Sequence, residues 1–392
     1  MKPACNRKFA GFTLIEMTIA MAVTMILLYV AISAFRDAEQ SNQVVTQSSD
    51  MTDNLRTGIS LIELDLQQAG AGIPVGGISI PYTSNGSTTA PCGISAPINR
   101  PMLGGKTTFP PCNSTLPAIE PGNSLGPALT SPDSTAGTAA NPDPSGITDE
   151  VTMLYIDNTI QLNAFGINQA PTTSPVTPGC PKGSLTLVAG TVTATFDPTC
   201  ANLNPATGIS INVGDLILFT NSLGNTVLTV TGVAGQTLTF AAGDAFDLNG
   251  RTDPTGTIAQ LENGGVACGG KATCFPLTTA SRIWMVSYYL DNVASPPFVR
   301  LIRQVNFNAA TPVGETLENL QFTYNFVDGV TNPSNQPTVP VGNSESQIRS
   351  VDVYLGARSS YDVHKGSLMS YARSNLMTQV SLRSMAYVNR YE

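Results

Sequence analysis

The residues that could perform catalysis are few in this 392-residue sequence. Its single histidine, His364, lies near Asp362 and Ser367. A serine hydrolase needs a histidine base that an orienting acid holds in place, and one histidine near loop-forming residues is weak support for that arrangement. There is no complete Walker A motif, Rossmann fingerprint or His-Glu-x-x-His motif. We therefore expect no enzymatic activity and no cofactor.

Cysteines are the next candidates, and six of the seven follow Cys5 as three sequence-local pairs. The spacings within the pairs are 20, 20 and 6 residues. The pairs are Cys92 with Cys112, Cys180 with Cys200, and Cys268 with Cys274. An even number of cysteines in turn-rich sequence predicts disulfides and an oxidising compartment. We favour bonds within each pair over zinc ligation, because no second ligand pair stands at a suitable spacing.

One acidic stretch offers oxygen ligands for a metal ion. Asp244, Asp247, Asn249 and Asp253 surround Gly250. Such oxygens can hold calcium, although their register is not that of an EF-hand. The same residues are common in turns, where their side chains hydrogen-bond the backbone. A calcium site and a purely structural turn are both open, and we expect no other metal site.

Glu16 is chemically unusual, because it is the one acidic or basic residue in the apolar segment 12–35. A carboxylate within a membrane helix costs about 2.5–3.5 kcal/mol at the membrane centre, so it should have a partner. Phe12 lies four residues earlier, on the same face of a helix. The pattern therefore predicts that Glu16 has a partner within this segment or outside the chain.

The segment around Glu16 has the size of a membrane span. As a helix, residues 12–35 would be about 36 Å long, enough to cross a bilayer with some tilt. Residues 1–11 contain Lys2, Arg7 and Lys8 and no acid, so they should remain cytoplasmic. A secretory signal is cleaved after its apolar region. Here the small residue Gly11 precedes it, and cleavage there would leave the helix attached, with Phe12 as the new N-terminus.

The helix should continue well beyond the membrane. Apolar residues recur at helical spacing and predict an amphipathic face. They are Val44, Met51, Leu55, Ile59, Ile62 and Leu66. Gly70 to Pro74 supplies a stop signal, and no proline precedes it after Phe12. We predict a helix over 12–72, with 12–35 as transmembrane segment and 36–72 as an amphipathic extension.

The remainder of the chain is rich in turns and strands. Residues 73–149 are dominated by Pro, Gly, Ser and Thr and predict a long loop region. From residue 150 alternating apolar residues predict a β-rich globular head to 392, including a meander over 215–241. Only 12% of residues are charged. The predicted class is α+β.

The junction Gly11-Phe12-Thr13-Leu14-Ile15-Glu16 resembles the signal of type IV pilins and of type II secretion pseudopilins. The resemblance implies cleavage after Gly11 by a prepilin peptidase, and conversion of Phe12 to N-methylphenylalanine by the same enzyme. It also implies that residues 12–35 become part of the filament core, and that Glu16 neutralises the N-terminal amine of a neighbouring subunit during assembly.

Further blocks resemble PilW-like minor pilins and the related J-type minor pseudopilin. They are Leu61–Gly70, Gly214–Phe219, Val230–Val233, Leu317–Tyr324, Val351–Leu355 with Arg358-Ser359, and Val380–Arg383. The chain departs from that pattern in having Arg383-Ser384 where an Arg-Asn pair is usual. The resemblance implies a pilin-type fold, in which a long N-terminal helix packs on an antiparallel sheet with β-rich elaboration and long loops.

The same resemblance implies a structural minor subunit that primes assembly at or near the pilus tip and supports twitching motility. Its partners would be other minor pilins, the major pilin and a tip adhesin. It would lie in the inner membrane, N-terminus inside, before it joins a periplasmic and cell-surface pilus. The net charge of −8 argues against nucleic acid. The alternatives are a minor pseudopilin of type II secretion and a pilus-mounted adhesin module.

Overall fold

The computed structural model describes most of the chain from residue 13 to residue 388. The described residues are 13–81, 115–129, 147–160, 162, 166–167, 183–188, 190–198, 201–204, 206, 208–246, 248–250, 256–262, 275–291, 299–306, 308–333, 336, 339–360, 363–365 and 368–388. The chain forms two compact units. One comprises residues 1–52 and 359–372, and the other comprises 53–358 and 373–392.

The long N-terminal helix is present as α1, Leu14–Gln68. It ends as expected, because Gly70 adopts a positive φ of 79° that continues the chain out of the helix. The Gly70 N–H then donates to the Leu154 carbonyl at 2.8 Å. The helix is therefore continuous over 55 residues, slightly shorter at both ends than the predicted 12–72.

The described strands follow the helix in chain order, and a short helix comes last. Up to residue 240 they are β1 (Ile78–Ser79), β2 (Thr115–Leu116), β3 (Ile119–Gly122), β4 (Glu150–Ile156), β5 (Gly166–Ile167), β6 (Ser184–Val188), β7 (Thr191–Thr195), β8 (Leu216–Asn221), β9 (Gly224–Thr229), β10 (Gly232–Ala234) and β11 (Thr237–Phe240). After residue 240 they are β12 (Thr278–Asp291), β13 (Arg300–Val305), β14 (Thr311–Gly314), β15 (Leu317–Phe326), β16 (Thr331–Asn332), β17 (Ile348–Arg358), β18 (Val363–Lys365), β19 (Leu368–Ser370), β20 (Arg373–Ser381) and the helix α2 (Arg383–Val388).

The largest sheet is built around β12, whose 14 residues pair with several shorter strands. Its strand order is β14-β13-β12-β4-β3, with β5 and β8 also paired to β12 and β9 paired to β8. All of these pairs are antiparallel. A second antiparallel sheet has the order β16-β15-β17-β20, and we call these two the central sheet and the C-terminal sheet. The predicted α+β class is therefore confirmed.

The strands β10, β11, β7 and β6 form a third sheet, which has an apolar inner side. Burial alternates along β7 and β11, as expected for strands with one covered face. Phe219 of the central sheet contacts Phe240 of this third sheet edge-to-face, with ring centroids 5.4 Å apart. The buried side chains of both sheets thus share one apolar cluster.

Three details differ from the sequence-based predictions. The predicted meander over 215–241 is split, because β11 pairs with β10 and β7, whereas β9 pairs with β8. The short strands β1, β2 and β3 lie within 73–149, where a loop region was expected. Val44 is 38% exposed, while the other five residues of the predicted amphipathic face are at most 4% exposed. Local periodicity cannot report these outcomes, because each depends on which distant strand covers a given face.

Candidate functional site: the N-terminal helix

The first predicted site residues lie at the very beginning of the described chain. Gly11 and Phe12 fall outside the described residues, which begin at Thr13. Glu16 lies in the first turn of α1. The cleavage and methylation predictions at Gly11 and Phe12 therefore stay predictions.

Glu16 and Thr13 form a reciprocal capping box at the start of α1. The Thr13 N–H donates to Glu16 Oε2 at 3.0 Å, and the Glu16 N–H donates to Thr13 Oγ1 at 3.3 Å. The Thr13 hydroxyl also donates to Glu16 Oε2 at 3.0 Å. The spacing Thr-x-x-Glu is the sequence signature of this motif, and sequence reasoning missed it. The carboxylate is thus held toward the N-terminal end of the helix.

The surface of α1 from Leu14 to Phe35 is mainly apolar and is exposed around its whole circumference. Residues 13–46 are all exposed. Large apolar side chains occupy this surface at 47% to 84% exposure. They are Leu14, Ile15, Met17, Ile19, Met21, Val23, Met25, Ile26, Leu27, Leu28, Tyr29, Val30, Ile32 and Phe35. Among the described residues, α1 is the one helix long and apolar enough to span a membrane.

The hydroxyl groups of the Thr and Ser residues between Met17 and Phe35 are satisfied by the helix itself. Thr18 donates to the Ile15 carbonyl at 2.9 Å, and Thr24 donates to the Ala20 carbonyl at 2.6 Å. Ser33 donates to the Val30 carbonyl at 3.0 Å. Unpaired polar groups are costly in hydrocarbon, so these bonds suit a helix without water around it.

The C-terminal part of α1 is tied to the central sheet by a buried carboxylate. Asp65 is 4% exposed and accepts hydrogen bonds from three strands. Tyr288 of β12 donates to its Oδ2 at 2.6 Å, and Tyr155 of β4 donates to its Oδ1 at 3.0 Å. Arg303 of β13 donates from Nε to Oδ2 at 2.8 Å and from Nη2 to Oδ1 at 3.2 Å. We call these four residues the Asp65 cluster.

The electrostatics of the Asp65 cluster favour one protonation state. Burial raises the pKa of Tyr155 and of Tyr288, and the negative charge of Asp65 raises both further. Burial alone lowers the pKa of Arg303, but the hydrogen bonds and charge of Asp65 outweigh it and raise the pKa overall. Both tyrosines therefore stay neutral and Arg303 stays charged at physiological pH. The cluster is an ion pair with two neutral donors, suited to holding a helix and not to proton transfer.

A second buried ion pair lies within the central sheet, around Arg282 of β12. Its guanidinium donates to Asp157 from Nε at 2.8 Å and also from Nη2, and its Nη1 lies 3.5 Å from Asp215 Oδ2. The guanidinium carbon is 4.3 Å from the ring centroid of Trp284. Burial raises the pKa of Asp157, but hydrogen bonds from Thr159 and Arg282 outweigh it and lower the pKa overall. This pair fixes the early part of the strand on which Tyr288 lies.

The acidic stretch proposed for calcium shows turn-stabilising contacts. Asp244 accepts backbone N–H bonds from Leu248 at 3.2 Å and Asn249 at 2.9 Å, and the Thr229 hydroxyl at 2.7 Å. The Asn249 amide donates to the carbonyls of Thr229 and Ala241 at 2.7 and 3.0 Å. These contacts agree with the structural interpretation of the two residues. Asp247 and Asp253 lie outside the described residues, so calcium binding itself stays a prediction.

Most of the other predicted site residues lie outside the described part of the chain. All six cysteines proposed to form disulfides lie outside the described residues. His364 lies on β18. Within the described ranges, no group of three or more His, Cys, Asp or Glu residues has an arrangement that could hold a metal ion.

One catalytic spacing was missed by sequence reasoning. Residues 122–126 read Gly-Asn-Ser-Leu-Gly, the spacing of a serine-hydrolase elbow. Such an elbow leads from a strand into a helix, whereas the chain here turns after β3 and returns through a bridge between Ala128 and Ile147. A Cβ atom on Gly122 would lie 2.7 Å from the Glu150 carbonyl oxygen, so close backbone approach explains this glycine. Ser124 thus lies in a tight turn between strands.

Comparison with known proteins gives one family match. Residues 6–32 match the family described as the prokaryotic N-terminal methylation motif. No curated protein matches the chain. Among solved structures, a type IV-like pilin from Thermus thermophilus is 12% identical and aligns over 45% of this chain and 87% of its own, with a TM-score of 0.18. A likeness at that score does not establish a shared fold.

The family match covers the residues at which the exposed helix begins. Its range contains the junction of Gly11 and Phe12, the capping box of Thr13 and Glu16, and most of the apolar surface. The chain therefore carries a prokaryotic N-terminal methylation motif that leads into a long, exposed, apolar helix.

Proposed function

We propose that this chain is a structural subunit of a type IV pilus. The observation that carries the proposal is the exposed apolar surface of α1, most of which lies within the methylation motif at residues 6–32. A helix that is apolar all round must be covered by lipid or by other helices. The same surface can serve as a membrane anchor before assembly and as part of a helical filament core afterwards.

The proposed maturation uses the residues at the start of α1. A prepilin peptidase cleaves after Gly11 and methylates the new N-terminal Phe12. Glu16 then neutralises the amine of a neighbouring subunit as the helix enters the filament. The capping box supports this role, because it directs the Glu16 carboxylate toward the end of the helix where such an amine would lie.

We further propose that the subunit is a minor pilin at or near the tip, with other minor pilins, the major pilin and a tip adhesin as partners. Its head combines the central sheet, the C-terminal sheet and a third sheet. A head of this size and complexity suits a low copy number better than repetition along a thin filament. The subunit would move from the inner membrane to the periplasm and the cell surface.

Two measurements on the producing organism test this function. Mass spectrometry of sheared filaments should detect the chain at a small fraction of the major subunit. A deletion strain should lose piliation and keep type II secretion. A chain absent from filaments, together with a piliated deletion strain that no longer secretes, would instead make it a minor pseudopilin.

A further inference from the structure

The C-terminal sheet ends in an unusually long edge strand. β20 has nine residues and pairs with β17 over nine consecutive positions without a register shift. Among the strands that the structure describes, none pairs with its other edge. Every other described strand at a sheet edge has six residues or fewer, and β3 and β14 also contain a proline. Short strands and prolines are devices that protect sheet edges, and β20 has neither.

The register with β17 identifies which groups face the outer edge. The Leu382 N–H donates to the Arg349 carbonyl at 3.0 Å, next to the paired residues Ser381 and Ser350. Hydrogen-bonded and non-hydrogen-bonded pairs alternate along an antiparallel ladder. The alternation directs the N–H and C=O groups of residues 376, 378 and 380 to β17, and those of residues 375, 377 and 379 outward.

The side chains at these outward positions are accessible and uncharged. Asn375, Met377 and Gln379 are all exposed, with Met377 at 67%. On the opposite face, Thr378 donates to Glu63 of α1 and Val380 is buried. The outer edge therefore combines free backbone groups with an exposed apolar side chain flanked by two amides.

The chemistry of this edge restricts its occupant. Free N–H and C=O groups in strand geometry are satisfied by an extended polypeptide that adds as a further strand. No charged residue occurs between Ser374 and Ser381, and Arg373 bonds Glu318 at 2.8 Å. The nearest acidic groups belong to neighbouring elements, with Glu63 of α1 bonded by Thr378 and Asp352 of β17 opposite Gln379. The edge strand itself therefore offers an added segment backbone groups, amides and one apolar side chain, and no charged group of its own.

A second copy of this chain in two-fold symmetry does not fit. Two identical antiparallel edges are related by an axis perpendicular to the sheet. α1 lies along the C-terminal sheet, because a Cβ on Gly58 would come within 3.0 Å of Leu355 Cδ2 of β17. A two-fold axis perpendicular to the sheet would make α1 of the second copy run in the opposite direction. Subunits inserted in one membrane by α1, as the proposed function requires, have helices in the same direction.

We propose that the outer edge of β20 accepts an extended segment of a neighbouring, different subunit as an added strand. The proposal names an interface on the head, separate from the helix surface that carries the proposed function. It relies on that function only for the partner being a subunit of the same assembly.

Residue-resolved hydrogen exchange of the full-length chain tests the added strand. In detergent, the amides of Leu376, Thr378 and Val380 should be protected, and those of Asn375, Met377 and Gln379 should exchange freely. In isolated filaments, all six should be protected. Free exchange at Asn375, Met377 and Gln379 in filaments that contain the chain would overturn the proposal and leave the proposed function standing. Absence of the chain from filaments would overturn the proposed function instead; exchange would then be compared in the solubilised membrane complex.

A pair of variants separates the backbone from the side chain. Met377→Pro removes an outward N–H, and Met377→Thr keeps it. The proline variant should lose the assembly-dependent protection at Asn375 and Gln379, and the threonine variant should retain it. Equal behaviour of the two variants would overturn the proposal. If Met377→Pro also loses protection at Leu376 and Thr378 in detergent, the proline has disturbed the fold. The proposal is then tested by the exchange pattern of the unaltered chain.

Discussion

At the scale of single residues, two carboxylates on the same helix have opposite surroundings. Glu16 is exposed in the first turn and caps the helix together with Thr13. Asp65 is buried near the last turn and receives bonds from three strands. The first is available to a partner outside the chain, while the second is fully engaged within it. We therefore assign assembly to Glu16 and internal anchoring to Asp65.

Replacing Glu16 by Gln separates its charge from its capping role. Glutamine can also complete a capping box, so the helix start should be preserved. The negative charge is lost, and the variant should be cleaved normally but incorporated poorly into filaments, as measured by immunoblots of sheared filaments and of membranes. Glu16→Ala should behave in the same way. Normal incorporation of the Gln variant would contradict a charge-pairing role.

Replacing Asp65 by Asn should weaken the attachment of α1 to the central sheet. The change leaves the partly buried Arg303 without its counter-charge and should destabilise the full-length chain by about 2–3 kcal/mol. Asp53→Asn is a matched control on an exposed position of the same helix and should change stability by about 0.5 kcal/mol or less. Urea unfolding in detergent compares the two. Equal effects of both variants would show that the Asp65 cluster contributes little.

The lowered pKa of Asp157 predicts a pH dependence with a definite sign. The folded state binds a proton to this carboxylate less readily than the unfolded state, whose ordinary value is 3.8. Its contribution is therefore complete above that value and is lost as pH falls through the lowered pKa. Melting temperatures measured toward acid pH should fall less steeply for Asp157→Asn than for the unaltered chain. Identical slopes would contradict the assigned role of the Arg282 pair.

At the scale of elements, α1 contacts two sheets closely at a residue without a side chain. A Cβ atom on Gly58 would lie 2.9 Å from Leu301 Cδ2 of β13 and 3.0 Å from Leu355 Cδ2 of β17. The small residue thus permits one turn of the helix to approach both strands. Helix-to-sheet packing at this point depends on shape as well as on apolar burial.

A larger side chain at Gly58 should disturb this approach. Gly58→Val should lower the free energy of unfolding by about 1–3 kcal/mol through overpacking. Ser60→Val introduces the same side chain on the exposed face two residues later and should change stability by about 0.5 kcal/mol or less. If the two variants have equal stability, α1 does not pack as closely as described.

The elements also show what local sequence could and could not predict. The helix stop at Gly70, the burial of Leu55, Ile59, Ile62 and Leu66, and most strand positions follow from periodicity and turn residues. The partners of Asp65 do not, because Tyr155, Tyr288 and Arg303 lie 90, 223 and 238 residues away. The capping box was readable from Thr13 and Glu16 alone. The split of the predicted meander could not be predicted from the sequence, because strand spacing does not specify which sheet a strand joins.

At the scale of the whole molecule, the chain combines two kinds of surface. Residues 14–35 of α1 form an apolar surface that needs lipid or other helices around it. The head offers a neutral sheet edge at β20 that suits an added strand. Removal of residues 1–11 would also take away three of the 19 basic side chains and leave a net charge of −11. These features agree with a subunit that is stored in a membrane and assembled through its helix.

The central claim is that the chain is processed as a filament subunit with its apolar helix retained. The mass of the N-terminal peptide, measured on the chain from sheared filaments, tests this claim most directly. We predict a peptide that begins at Phe12 and carries one additional methyl group. A chain that still begins at Met1, or that begins after the apolar segment as a cleaved secretory protein would, contradicts the account.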